Sequence, residues 1–539
     1  MKTQTDIRKI VAAVEHNGAF LSGLVALLLY LATLSKQYTG GSLEFAAEIE
    51  SGLWTALFQP QKLLIHPIGW MFFQLWKLLG WQGGSLLPSQ ILNAACGALS
   101  VGLLFHLIRQ LTHSPKVAFW SAAGFMASSG VWIFSTEAEF VTPALAVMLF
   151  MLILTLRPPS DQRPPFQLGV FSGIAILFYI TNIFFLPALA AVWIDAHRKE
   201  ATAWLKKLLL LGTGVVPVVL PGFGALMVLV YGVRSWAALQ AFHLYGGTGA
   251  GAGTVYGVLS PANLFFGAYA MTRTLATFSG LGLDSSSYAF WVTSTWVRDT
   301  EYVLFTMSVG VILAGLFYIA LRMRKALWQN YRAPLLALGV WSFLNLCFGF
   351  YWVPKDIQFW MPLILAWWIL AGLTLHELFR AAPPINPLWL SFPSFLPTLL
   401  VVVNAVCLTL QHHSLQRNLP YQLAAFIADR TQPGDAVITA EDDRYIPYFS
   451  GRESISLFRD LVDPANNPEQ VYAALGERIT AIRARGGSVY LVSFPEPGNP
   501  LWRELNKAGL NAQDSSHFEL TPIWEFKGRT IYLVSGLSP

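Results

Sequence analysis

The feature that most constrains this chain is a succession of apolar runs separated by short loops that cluster Lys and Arg. A membrane-spanning helix needs about 20 mostly apolar residues. Candidate spans lie at 18–35, 90–108, 117–135, 141–156, 166–181, 183–196, 208–231, 302–321, 333–352, 357–376 and 394–411. Composition agrees with them. Of 539 residues, 54% are hydrophobic and 12% are charged, against about 25% charged in an ordinary soluble domain. The charges are too few to cover a water-facing surface of this size. The 20 Trp residues suit the aromatic belts at membrane–water interfaces. The expected fold is therefore a polytopic α-helical membrane protein of about eleven transmembrane helices.

The first run, Gly18–Leu34, has no small-x-small cleavage site at its end and reads as a retained helix. Two other runs do not read as spans. Residues 262–281 are interrupted by Asn263, Thr272 and Arg273 and are expected to be interfacial or re-entrant. Residues 66–80 are too short to cross, and their aromatic and Lys content suggests a helix in the interface plane.

Positive charge sets the orientation. Lys2, Arg8 and Lys9 precede the first span. Arg109 and Lys116, Arg157 and Arg163, Arg198 to Lys207, Arg322 to Arg332, and Arg380 then fall in alternate loops on that same side. The other side receives Glu44, Glu48, Glu50, Glu137, Glu139, the loop 232–300 and Lys355-Asp356. This pattern places the N-terminus in the cytoplasm and the C-terminus outside. It also argues against a diffuse nucleic-acid surface, so no nucleic-acid partner is expected.

Character changes at residue 415. Residues 1–414 read as the transmembrane part and 415–539 as a small soluble extracytoplasmic α/β domain. Ala436–Ala440, Ser488–Phe494 and Thr530–Ser535 have strand composition, and Gln470–Arg485 has helical spacing before a Gly-Gly stop. Cys96, Cys347 and Cys407 each sit in an apolar run and read as buried hydrophobes. The Gly-rich stretch 246–253 lacks the Lys-Ser/Thr of a phosphate loop and reads as a loop.

Candidate chemistry lies in the outer loops. Glu44 and Glu48 are four apart and would share a helix face. Like charges at that spacing are unfavourable unless a cation, a metal or a proton separates them. The reading is a general base or a metal site at the membrane surface; a solvated interfacial helix is the plain alternative. His66-Pro67 follows at a helix start, where the imidazole could orient a phosphate or hydroxyl. Glu137 and Glu139 form a second acidic pair after the third span. Lys355, in Lys355-Asp356-Ile357-Gln358, breaks the inside-positive pattern and suits a lipid phosphate, with a local Lys–Asp pair as the alternative. Arg273 and Arg298 invite the same two readings.

The order of these pieces resembles the membrane glycosyltransferases of the GT-C fold, in the protein O-mannosyltransferase and aminoarabinose-transferase group. It looks closest to a bacterial family of uncharacterised GT-C-like membrane proteins. The matching pieces are Gly41-Ser42-Leu43-Glu44, His66-Pro67-Ile68-Gly69, Leu92-Asn93-Ala94-Ala95 and Glu137-Ala138-Glu139-Phe140. The resemblance implies sugar transfer from a polyprenyl-phosphate-linked donor on the extracytoplasmic face of a bacterial inner membrane. The acceptor would be a glycan, lipid or protein. The resemblance implies a general base at Glu44, with Glu48 second. It implies acceptor or metal contacts at Glu137 or Glu139, with Mg or Mn held by Glu44 and Glu139 if a metal is used. It implies a carrier-phosphate ligand at Lys355. His66, Gln358, Arg273 and Arg298 are further candidate substrate contacts, from the residues themselves rather than from the resemblance. The group's usual first-loop base is Asp, and there is no Asp between Gln37 and Trp81. Glu serves the same chemistry, its unperturbed pKa being only about 0.4 higher. The rival functions are a transporter or flippase of a lipid-linked sugar and a non-catalytic membrane scaffold.

Overall fold

The computed structural model describes residues 2–156, 164–198, 200–235, 261–276, 310, 314–315, 317–352, 354, 356–381, 387–409, 414–439, 444–456, 468–492 and 518–537. Lys355, Arg298, the Gly-rich stretch 246–253 and most of the expected span 302–321 lie outside them.

Helix α1 (Lys2–Ala32) leads into the outer-loop helices α2 (Gly40–Ser51), α3 (Trp54–Leu57) and α4 (Ile65–Leu78). Helices α5 (Leu86–Thr112), α6 (Pro115–Ala127), α7 (Ser129–Thr136), α8 (Val141–Thr155), α9 (Pro165–Phe178), α10 (Phe185–Ala196) and α11 (Ala201–Ala225) follow. After them come α12 (Pro261–Leu275), α13 (Arg324–Tyr351), α14 (Met361–Ala381) and α15 (Pro387–Asn404). Four described helices are long and apolar enough to cross a membrane: Leu86–Thr112, Thr202–Val230, Arg324–Tyr351 and Ile357–Ala381. Asn17–Ala32, Val141–Thr155, Pro165–Phe178 and Ile180–Ala196 are apolar but shorter.

The expected span 117–135 is not one straight helix. It bends by 63° between α6 and α7. Ser128-Ser129-Gly130 are poor helix formers, and Ser128 takes extended backbone angles (φ −63°, ψ 133°). Trp368 Nε1 on α14 donates to Ser128 Oγ at 2.9 Å and holds the break. Elsewhere close approach needs glycine: a Cβ at Gly169 or Gly214 would stand 2.3 or 2.2 Å from the partner helix's carbonyl where α9 meets α11. Cys347 is exposed on α13, not buried as expected, because that flank of the helix faces outward. Helix α4 has two faces, with Trp70, Met71, Leu75 and Leu78 exposed while His66, Gly69 and Phe73 are buried. An apolar outer face of this kind suits a helix lying in an interface.

Helix α16 (Leu419–Arg430) opens the C-terminal part, which holds α17 (Pro468–Ala484) and a five-stranded sheet. Its strands are β1 (Ala436–Thr439), β2 (Glu453–Ser456), β3 (Val489–Val492), β4 (Phe518–Phe526) and β5 (Arg529–Leu537), in the order β2-β1-β3-β5-β4. β1 pairs in parallel with β2 and β3; β5 runs antiparallel to β3 and β4. Lys527 (φ 48°) and Gly528 (φ 79°) make the two-residue turn between β4 and β5, both left-handed as the favoured hairpin turn requires. Side chains alternate across the sheet. Ala436, Ile438, Val489 and Leu491 pack on Leu475, Ile479 and Ile482 of α17. Val437, Val492 and Ile531 join Leu423 and Ile427 of α16 on the other face, in a cluster continuing into Leu43 and Ala46 of α2, Leu86 and Ala138. The sheet unit therefore shares a core with the first outer loop and sits directly on the acidic segments.

Candidate active site

Two polar side chains of α5 fix where the acidic segments meet. Gln90 Nε2 donates to the carbonyls of Ser35 and Thr136, each at 2.8 Å, clamping the end of α1 to the end of α7. One turn on, Asn93 Nδ2 donates to the carbonyls of Glu137, at 2.7 Å, and Glu139. The Glu137–Glu139 turn is thus held from below by its backbone, and both carboxyl groups point at the first outer loop.

There they meet the N-terminus of α2. Thr39 caps it, its Oγ1 accepting from Ser42 N at 3.0 Å. Glu137 Oε2 accepts from Ser42 Oγ at 2.7 Å and from Thr39 N at 3.2 Å. Glu139 Oε1 accepts from Thr39 Oγ1 at 3.1 Å. Free amides and the helix dipole favour anions at such an end. Glycine at 41 leaves room for this approach, since a Cβ there would stand 2.2 Å from Glu139 Oε1.

Burial pushes the Glu137 carboxyl up to about 7, against the pull of Ser42, Ser35 and Thr39. A carboxyl whose folded pKa is raised contributes stability that is full below its unfolded pKa and is lost as pH rises through the folded value. Glu137→Gln keeps an acceptor for Ser42 and Thr39 but cannot ionise. Its expected thermal midpoint matches the native chain near pH 5 and exceeds it by a few degrees near pH 8. Parallel unfolding scans at the two pH values check this; a lower midpoint at both would mean that the ionised form holds the loop.

The open side of α2 carries Glu44 and Glu48. Glu44 Oε2 pairs with Arg444 at 2.9 Å, the arginine coming from the C-terminal part. Glu48 Oε2 lies 2.8 Å from His66 Nε2, and its Oε1 accepts from Gln59 Nε2. Burial pulls the His66 pKa down to about 4. At neutral pH the contact is therefore a hydrogen bond from neutral Nε2–H to the carboxylate rather than an ion pair. His66 is fully buried and positions Glu48. Each carboxylate on this face has its own partner: Arg444 pairs with Glu44, and the neutral donors His66 and Gln59 hold Glu48.

Lys62 is the residue that the sequence reading missed. Its ammonium lies 4.0 Å above the Phe140 ring and within electrostatic reach of Glu48, Glu139 and Glu44. Burial lowers its pKa while the three carboxylates oppose that shift. Burial raises the Glu139 pKa, and Lys62 is the main influence against it. The signal was present in the sequence: a lysine four residues before His66, in an outer loop where the inside-positive pattern expects none. Arg444 had no such signal, being 400 residues from Glu44.

Asp356 carries the arrangement to the late loop. It caps the turn Ile357–Trp360, accepting from Gln358 N at 3.0 Å and Gln358 Nε2 at 2.7 Å. Its carboxyl is pushed up to about 7, first by burial, with the charge of Glu139 adding to the shift. Gln358 also lines a cavity with Leu145, Met148, Tyr179, Asn182 and Asn345. Tyr179 stands 5.3 Å from Phe140, the ring under Lys62. Arg273 belongs to α12, where its carbonyl accepts from Ser129 Oγ of α7. Among the described residues no three His, Cys, Asp or Glu side chains converge as a metal-binding group. Nor does the donor set suit Mg or Mn between Glu44 and Glu139, because Arg444 and Lys62 already serve those carboxylates as counterions.

The architecture has a solved counterpart. ArnT from Cupriavidus metallidurans in the apo state superposes with TM-score 0.56 at 14% identity, over 96% of this chain and 98% of that one. The chain adopts the GT-C fold. The structure of the same ArnT bound to undecaprenyl phosphate gives TM-score 0.54 at 13% identity, again over 96% and 98%. No family model and no curated protein matches the sequence. At these identities the likeness is one of fold.

Proposed function

We propose that this chain is a glycosyltransferase that moves a sugar from a polyprenyl-phosphate-linked donor to an acceptor on the extracytoplasmic face. In this reading residues 1–414 form a transmembrane domain of about eleven helices. Residues 415–539 form an extracytoplasmic domain, and the membrane is a bacterial inner membrane. The carrying observation is geometric: Glu44 and Glu48 lie along α2, Glu139 meets its Thr39 cap, and Lys62 sits over Phe140, whose ring touches Tyr179 on the wall of a cavity between α8 and α13. A lipid-linked donor cannot leave the bilayer, so its phosphate and the groups acting on it must lie at headgroup depth. That the ArnT structure of this fold holds undecaprenyl phosphate supports the same donor class.

The residues divide as follows. Glu44 is the base, with Glu48 held in reserve by His66 and Gln59. Glu44 takes the proton from the acceptor hydroxyl as its oxygen bonds to the anomeric carbon. The anomeric carbon–oxygen bond to phosphate breaks, and its electron pair leaves on the phosphate oxygen. Lys62 neutralises that oxygen, the role expected of Lys355. Glu139 faces the acceptor, while Glu137 is used in capping α2.

A structure of the full chain with undecaprenyl phosphate tests this. The phosphate is expected within hydrogen-bond reach of Lys62 and near Glu44; a phosphate bound on another face would overturn the reading. Gly41→Ala is a second test. The new Cβ displaces the Glu139 carboxylate, and misplacement by about 1 Å can cost about 10²-fold in rate. Transfer is expected to fall by that order with little change in thermal midpoint.

A further inference from the structure

We infer that Arg444, delivered by the C-terminal part, is a ligand of the carrier phosphate and works with Lys62. This inference rests on the proposed function. Three observations carry it.

Arg444 is inside the site and still reachable. Its guanidinium meets Glu44 at 2.9 Å, yet its side chain is 33% exposed. Its stem crosses the start of α2, where a Cβ on Gly40 would stand 3.1 Å from Arg444 Cδ. It acts on Glu139 in the same sense as Lys62, and it is close enough to Lys62 for the two cations to repel. Two cations this close to each other offer a diphosphate or phosphate group donors from two sides.

The arginine is held by a built wall. Tyr445, the next residue, donates its hydroxyl to the Tyr38 carbonyl. Asn418 Nδ2 donates to Tyr445 Oη at 3.1 Å and to the Lys36 carbonyl at 3.0 Å. Tyr448 Oη donates to Glu50 at 2.8 Å, and Phe449 stacks on Tyr38 with ring centres 5.8 Å apart. These contacts attach residues 444–450 to the first outer loop independently of the Arg444–Glu44 pair, so that pair is not needed as a tether.

Guanidinium presents a planar fork of donors suited to two phosphate oxygens. With Glu44 it makes one contact at the rim. An arriving phosphate takes the fork, and Glu44 loses its cation. A carboxylate freed in this way has its lone pairs open to an acceptor hydroxyl. Donor binding therefore uncovers the base, and no acceptor hydroxyl is activated before the donor is in place.

The test uses the purified full chain in detergent, with undecaprenyl phosphate and, separately, inorganic phosphate as probes. Arg444→Gln is expected to weaken undecaprenyl phosphate binding about tenfold or more, and Arg444→Lys to restore part of it. Glu44→Gln, which removes the competing carboxylate, is expected to bind the probe as tightly as the native chain or more tightly. A purely structural ion pair predicts instead that Glu44→Gln and Arg444→Gln shift binding alike, and that result would overturn the inference. Native-like binding by Arg444→Gln would also overturn it, as would weakening confined to inorganic phosphate. A native chain that binds no undecaprenyl phosphate would remove the transferase reading beneath it.

Discussion

Glu44→Gln is expected to lower sugar transfer by about 10²–10⁴-fold, the usual contribution of a positioned general base. The amide keeps the shape of the side chain and loses only its ability to take a proton. The structural cost should be small. Glu44 is 47% exposed and its partner Arg444 is 33% exposed, so solvent screens their attraction. The thermal midpoint should barely move, and donor binding should persist. Single-turnover transfer from a polyprenyl-phosphate-linked sugar, beside a binding curve for the carrier, separates the two effects. Unchanged turnover in this variant, with loss in Glu48→Gln, would move the base one turn along α2. Unchanged turnover in both would end the case for either as base.

The membrane character was legible because hydropathy depends on composition over about 20 residues, which needs no knowledge of packing. The acidic positions were legible for a related reason: Glu44, Glu48, Glu137 and Glu139 interrupt an otherwise apolar chain. The strands β1, β3 and β5 were visible as Val- and Ile-rich runs. β2, Glu-Ser-Ile-Ser, has a single apolar residue and did not stand out, and β4 carries Pro522, which weakens a strand reading. The bend at Ser128 had a local sign in Ser128-Ser129-Gly130, but the Trp368 indole that holds it is 240 residues away. Arg444 was hidden for the same physical reason. A cation's partner across several hundred residues is set by the whole fold, and no local spacing encodes it. Lys62 differs from both. Its outer-loop position ahead of His66 was readable, but a single lysine in an interfacial segment has no pattern to separate it from a snorkelling side chain.

Lys62→Met carries the second large effect, and it can be divided into two parts. Removing one partner of a buried, charged constellation costs about 2–5 kcal/mol, which is roughly 30-fold to several thousand-fold in binding. In this variant Glu139 loses the main influence holding its pKa down, leaving burial to push it further up. Because that folded pKa lies above the unfolded one, the variant's stability is full at acid pH and falls as pH rises through the folded value. Lys62→Met should therefore be least stable in alkaline solution. Adding Glu139→Gln removes the uncompensated charge and should restore the thermal midpoint at high pH. It should not restore undecaprenyl phosphate binding, because the cation facing the phosphate is still absent. Recovery of both by the double variant would make Lys62 a counterion to Glu139 and nothing more. Recovery of stability alone assigns its charge to the carrier. Lys62→Arg provides the intermediate case: it keeps the charge, and its larger planar head must fit above Phe140, where the ammonium now sits 4.0 Å from the ring centre.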